Sequence, residues 1–178
     1  MDLRATLVHL AILGLLASPA LSIAQDHFPT PIEKGPLTVD IQDFATLPDS
    51  NGAPARMSVM TTDPDGRLFV NDQRGPMYHI DPTGTTVTEY LDIRDFAGVD
   101  LQQASGEQGF QGFDFHPDFD TPNADGFGKF YTVHSSSNTA PTPDFDPGGS
   151  TALHTVLMEW SVNDPAATTY AAAGGAAP

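Results

Sequence analysis

The chain has 178 residues, and its 23 acidic side chains against 7 lysines and arginines give a formal net charge of -16. A surface this acidic repels phosphate backbones and anionic lipids, which argues against nucleic-acid and membrane partners. The sequence contains no cysteine, which excludes disulfides, thiolate catalysis and cysteine-based zinc sites.

The N-terminal segment (1–24) has the features of an export signal. Arg4 provides a modest positive start, residues 7–16 are mostly apolar, and Ala24 closes a cleavage motif. The apolar run is short for crossing a bilayer, so a cleaved signal fits better than an uncleaved anchor. Residues 25–36 hold three prolines and show no periodicity, which predicts a linker or extended arm.

The next part of the chain predicts short strands. Residues 37–44 alternate apolar and polar side chains, which is the period of a half-buried strand, and a loop follows. Turn signals rich in Pro, Asp and Gly then separate four strands, predicted at 57–62, 67–72, 76–81 and 86–93. Connections this short allow only antiparallel neighbours, so these strands predict a four-stranded meander.

A second unit repeats the first. Asp-Pro-Asp at 63–65 aligns with His-Pro-Asp at 116–118, and the strand after the first turn aligns with residues 128–132. The second copy carries nine extra residues in this turn, at 119–127. Residues 154–162 predict its third strand, and no fourth strand is visible. Four-stranded units that recur along a chain are typical of a β-propeller.

The predicted fold class is therefore all-β, a partial β-propeller over residues 37–178. Its first blade spans about 57–93, and its second, incomplete blade spans about 110–178. A propeller needs about four to eight blades, so two units leave an apolar face open. We expect the chain to be the front part of a longer protein; the alternative is an oligomer.

One segment resembles a known family. Residues 106–119 read Gly-Glu-Gln-Gly-Phe-Gln-Gly-Phe-Asp-Phe-His-Pro-Asp-Phe. They resemble the Gly-Glu-x-Gly-Leu-Leu-Gly-x-Ala-Phe-His-Pro-Asp-Phe signature of soluble PQQ-dependent aldose dehydrogenases, the glucose/sorbosone dehydrogenase family. Residues 63–70, 129–135 and 155–160 are similar to neighbouring strands of that family. The departures are Phe110 and Gln111, where the family usually has Leu-Leu.

The resemblance implies an exported, periplasmic or extracellular, six-bladed propeller that binds PQQ and calcium. Such a protein oxidises the anomeric carbon of an aldose sugar to a lactone and passes electrons to an acceptor. Glu107 stands where the family places a Gln or Glu beside the cofactor and sugar, and Gln108 is adjacent to it. Both are predicted to bind the cofactor or substrate; the alternative for Glu107 is a carboxylate bonded to neighbouring N–H groups.

The catalytic histidine of the family lies in a later His-x-x-Gly segment, which nothing in this sequence matches. The basic residues that hold PQQ and the carboxylates that hold calcium also come later in the family. The resemblance therefore implies no catalytic residue and no metal ligand in this chain, and a catalytically incomplete fragment.

Other polar residues are assigned structural roles. His116 precedes a proline at a strand end and is predicted to serve the turn rather than to act as a base. His79, His134 and His154 fall in different strands without ligand-like spacing. Residues 118–126 are rich in Asp and Asn, which favours an Asx turn over a calcium loop because the closing Glu is missing.

Two other functions remain open. Propellers of the hedgehog-interacting type share the signature and recognise proteins through loops, without enzymatic activity. Calcium-dependent lactonase propellers hydrolyse lactones without a redox cofactor. The first alternative predicts no PQQ binding, and the second predicts activity without an electron acceptor.

Overall fold

The computed structural model describes residue 35 and residues 38–103, 106–137 and 152–175. The chain divides into two units, Met1–Asp40 and Ile41–Pro178. The described residues of the first unit have no regular secondary structure. The fold below is that of the second unit.

The first sheet is the predicted antiparallel meander. Each strand pairs with the next one in the sequence: β1 Met57–Thr62, β2 Leu68–Asp72, β3 Pro76–Ile80 and β4 Val87–Asp92. The turn signals form the expected bonds, since the Gly66 N–H donates to the Asp63 carbonyl and the Gly84 N–H to the Asp81 carbonyl, both at 2.9 Å. A single 3₁₀ turn, Ile93–Asp95, follows β4.

The second sheet has three antiparallel strands in sequence order, β5 Phe110–Phe115, β6 Lys129–Ser136 and β7 His154–Ser161. The nine-residue insertion lies between β5 and β6, as predicted, and its Phe119 is fully buried. After β7 the chain is irregular, apart from a bridge between Val162 and Ala172 and a 3₁₀ turn at Ala173–Gly175. The described part of the chain gives this sheet no fourth strand.

The two sheets pack face to face through aromatic side chains. The ring centroids of Phe69 and Phe115 lie 4.8 Å apart, and those of Tyr90 and Phe130 lie 6.1 Å apart. Trp160 stacks on Phe130 at 5.9 Å, with the ring planes 12° apart. Aromatic residues bury large apolar areas and favour such offset and edge contacts, so this layer is the core of the unit.

The segment after β7 returns to the first sheet. The Tyr170 N–H donates to the Tyr90 carbonyl at 2.7 Å. Arg67 donates through Nη1 to the Ala167 carbonyl at 3.1 Å and through Nε to the buried Asp63 carboxylate at 2.7 Å. These bonds join the first sheet and its β1–β2 turn to the segment that follows β7.

The first strands of the two sheets lie side by side and run in the same direction. The Ser58 hydroxyl in β1 donates to the Gln111 carbonyl in β5 at 2.6 Å. Val59 Cγ2 would lie 3.2 Å from a Cβ added at Gly112, so the missing side chain of Gly112 lets the strands approach closely.

The outer face of the first sheet is apolar. Val70, Tyr78 and Ile80 form a second buried cluster on the side away from the second sheet. A groove of about 350 Å³ runs along this face, and Met57 and Met60 beside it are each 65% exposed. The predicted all-β class is confirmed as two packed antiparallel sheets, neither of which closes on itself.

One predicted strand is wrong. Residues 38–44 are described without any strand, and the side chains of Val39 and Ile41 are 72% and 91% exposed. Alternation predicts which face of a strand would be buried, but a strand also needs a neighbour to pair with, and this segment has none in the described part. The predicted signal (1–24) lies outside the described residues, as does the predicted linker (25–36) apart from Gly35.

Candidate functional site

The glycine-rich segment 106–112 lies where the two sheets meet, at the end where β1 and β5 begin. Glu107 is exposed to solvent and Gln108 is half-buried. The two residues predicted to bind a cofactor or substrate therefore lie together in the loop that leads into β5.

Gly109 fixes the path of this loop. Its φ of +122° is accessible to glycine, and a Cβ at this position would lie only 2.2 Å from the Gln73 carbonyl oxygen. The same oxygen accepts a hydrogen bond from the Phe110 N–H at 2.8 Å, and the Gly109 carbonyl accepts one from the Ser135 N–H at 2.9 Å. The loop is thus bonded to the β2–β3 turn on one side and to β6 on the other.

Side chains of the first sheet bind the backbone of the loop. Arg56 Nη2 donates to the Gly106 carbonyl at 2.9 Å. Asn71 Nδ2 donates to the Phe110 carbonyl at 2.6 Å, while its Oδ1 accepts from the Val59 N–H at 2.9 Å. Asn71 is fully buried, and its side chain joins β2 to the backbones of β1 and β5, which explains a buried carboxamide at this position.

A buried carboxylate holds the loop that leads to Arg56. Asp72 is fully buried and accepts a hydrogen bond from the Ser50 hydroxyl. Arg74 Nη1 lies 3.7 Å from the Asp72 carboxylate and donates to the Pro54 carbonyl at 2.7 Å. The chain just before β1 is therefore attached at two points, Ser50 and Pro54, to residues of the β2–β3 turn.

His134 lies directly beneath the loop but is enclosed. It pairs with Phe110 across the sheet and is 1% exposed. Its Nδ1 has no hydrogen-bond partner among the described residues. Burial lowers the pKa of His134, so the imidazole is neutral at neutral pH and has no access to a ligand in solvent.

His116 serves its turn. Its Nδ1 accepts a hydrogen bond from the Asp118 N–H at 3.0 Å. A Cβ at Gly126 would lie 1.8 Å from that nitrogen, so the insertion packs directly against the ring. This geometry agrees with the structural role predicted for His116.

The remaining histidines are dispersed. His79 packs against Phe69 with ring centroids 5.2 Å apart, and burial together with the charge of Arg67 lowers its pKa. His154 begins β7 and pairs with Ser136 of β6. Within the described ranges, no three His, Asp or Glu side chains are grouped closely enough to hold a metal ion.

The polar side chains around the loop indicate what it could bind. They are one carboxylate, two carboxamides and one guanidinium, from Glu107, Gln108, Gln111 and Arg56. Carboxylates and carboxamides bind hydroxyl groups, and a guanidinium pairs with a carboxylate. Glu107 and Gln108 suit the hydroxyl groups of a sugar. Arg56 is the one cation of this set, and its Nη2 already donates to the Gly106 carbonyl, as Gln111 Nε2 does to the Glu107 carbonyl.

Sequence analysis located the loop but missed Arg56, Ser58 and Asn71, which hold it. These residues lie 39 to 53 positions away from their partners in the chain.

No helix in the described part of the chain is long and apolar enough to cross a membrane. No protein-family model, no curated protein and no solved structure matches this chain.

Proposed function

We propose that this chain is the N-terminal part of an exported PQQ-dependent sugar dehydrogenase with a β-propeller fold. The observation that carries the proposal is the position of the motif at 106–119. Its loop opens at the junction of two packed antiparallel sheets, beside the adjacent first strands β1 and β5. In a propeller the blades surround a central channel, so such a loop would reach the axial mouth where ligands bind.

In this proposal Glu107 and Gln108 bind the sugar or the edge of the cofactor. The Glu107 carboxylate accepts hydrogen bonds from hydroxyl groups, and the Gln108 carboxamide can both donate and accept. PQQ, when bound, supplies the electron-accepting chemistry. His116 serves a turn and His134 is enclosed, so neither is proposed as the base that takes the sugar proton. The resemblance implies that this base and the carboxylates that hold calcium lie outside the present sequence.

The direct test uses the complete protein with PQQ, calcium, an aldose and a dye acceptor. We expect dye reduction that requires PQQ and yields a lactone. Glu107→Ala should reduce kcat/KM by about tenfold or more, the range for losing a hydrogen bond to a charged group. Glu89→Gln is the matched control, since it removes an exposed carboxylate on β4, the strand of the first sheet farthest from β1.

Two results would replace the proposal. Lactone hydrolysis without an acceptor would identify a calcium-dependent lactonase. Absence of PQQ binding together with tight binding of a protein partner would identify a recognition module. Export is tested separately by sequencing the N-terminus of the secreted protein, where cleavage after Ala24 would leave Gln25 first.

A further inference from the structure

We infer that Arg56 and Gln111 are positioning residues that set the direction of the Glu107 side chain. The inference rests on the proposed role of Glu107 as a ligand-binding group. It concerns residues that the family resemblance does not assign, one of which departs from the family signature.

The argument begins with the two peptide groups that flank Glu107. Arg56 Nη2 donates to the Gly106 carbonyl at 2.9 Å, which belongs to the peptide group before Glu107. Gln111 Nε2 donates to the Glu107 carbonyl at 3.1 Å, which belongs to the peptide group after it. The orientation of these two planes defines φ and ψ of Glu107, so the two bonds together fix where its Cβ points.

Both donors start from backbone that is itself held. The Arg56 carbonyl accepts the Gln73 N–H at 2.9 Å, and the Gln111 carbonyl accepts the Ser58 hydroxyl at 2.6 Å. The hydrogen bond from Arg56 reaches the loop from the first sheet, and the one from Gln111 reaches it from the second sheet. A side chain that is held in place before the ligand binds loses less conformational entropy on binding, so these two hydrogen bonds favour affinity.

The hydrogen bond from Gln111 exists only because this chain has glutamine at that position of the family signature. The family usually has leucine at this position, and a leucine side chain has no donor for the Glu107 carbonyl. Gln111 therefore supplies an interaction that the family pattern lacks. Arg56 lies outside the signature altogether.

The test uses a Glu-specific protease on the complete protein, because it cleaves after Glu107 only when the loop opens. We expect Gln111→Leu and Arg56→Leu each to speed cleavage at Glu107 by about fivefold, the factor for one lost hydrogen bond. Cleavage at Glu89 and Glu159, which lie inside strands, should not change. A general loss of stability would raise cleavage at all three sites.

Two further variants sharpen the result. Gln103→Leu removes a similar bond, from Nε2 to the Arg74 carbonyl at 3.1 Å, and should leave cleavage at Glu107 unchanged. Arg56→Lys keeps one donor and should restore part of the protection. In the sugar assay, Gln111→Leu should raise KM by about fivefold with little change in kcat, the pattern of lost binding.

The outcomes separate the two proposals. Unchanged cleavage at Glu107 in both the Arg56→Leu and the Gln111→Leu variants would overturn the positioning role, whatever the enzyme does. Faster cleavage with unchanged kinetics would support the positioning role and overturn the role of Glu107 in binding. Faster cleavage with a raised KM, partly rescued by Arg56→Lys, is the result expected if both hold.

Discussion

Phe115 joins the two sheets, and its truncation tests whether they form one core. The side chain is 7% exposed. Its ring centroid lies close to those of four other rings: Phe69 at 4.8 Å, Phe119 at 4.8 Å, Phe130 at 5.8 Å and Phe113 at 5.9 Å. Truncating a buried phenylalanine to alanine costs about 3–5 kcal/mol. Three of these aromatic neighbours lie on strands, and the fourth, Phe119, is fully buried in the insertion, so they cannot easily collapse into the cavity and we expect about 4 kcal/mol.

The measurement is urea unfolding of the purified protein, with the free energy taken from midpoint and slope. Phe115→Leu keeps most of the volume and should cost about 1.5 kcal/mol. Leu157→Ala is the control, because Leu157 is 70% exposed and should change stability by less than about 0.5 kcal/mol. A double-mutant cycle with Phe69→Leu should give a coupling of about 0.5–1.5 kcal/mol. If Phe115→Ala costs no more than Leu157→Ala, the face-to-face packing is wrong.

Three other changes give distinct expected outcomes. Arg67→Ala removes the partner of buried Asp63 and should cost about 2 kcal/mol in urea unfolding; a loss near zero would contradict this pairing. Burial lowers the pKa of His134, so its contribution to stability is complete above pH 6.5 and is lost as the pH falls below that value. His134→Leu should reduce the fall in melting temperature below pH 6.5. An unchanged fall would mean that other groups cause it. A hydrogen bond from the protonated Asp65 carboxyl to Asp120, together with repulsion by the Asp120 charge, raises the pKa of Asp65, so the contact is favourable at acid pH and unfavourable above the raised pKa. Asp120→Asn should therefore raise the melting temperature at pH 7 but not at pH 3, and a lower value at pH 7 would refute the contact.

The sequence predicted the strands well where turn residues bounded them. The Asp-Pro-Asp-Gly turn separates β1 from β2, and the predicted bounds of β1 agree fully with the structure. The alternating segment at 37–44 is also followed by a loop, but no tight turn joins it to a neighbouring strand, and it forms no strand in its described part. Periodicity alone was insufficient there, because strand formation depends on a partner that local sequence cannot supply.

The candidate site was predictable only in part, for a similar reason. The glycines at 106, 109 and 112 mark a loop, so the placement of Glu107 in a loop followed from local sequence, whereas its ligand-binding role came only from the resemblance. Arg56, Ser58 and Asn71, which hold the loop, lie in the first sheet or just before it, and they meet the loop only when the two sheets pack. The detectable signal was the pair Asn71 and Asp72, two polar side chains that follow the apolar residues of β2.

Sheet packing and loop geometry therefore depend on the same contacts. Asn71 lies between β1 and β5 and bonds to the backbone of both strands. Any change that separates the sheets must break these bonds, and it then also breaks the bond from Arg56 to the peptide group before Glu107. A change that weakens the core would disturb the loop through the hydrogen bonds of Asn71 and Gln73. A change in Gln111 would instead alter the loop and leave the core intact. Variants that weaken the core should therefore lower both stability and the proposed ligand binding, whereas Gln111 variants should lower the proposed binding with little change in stability.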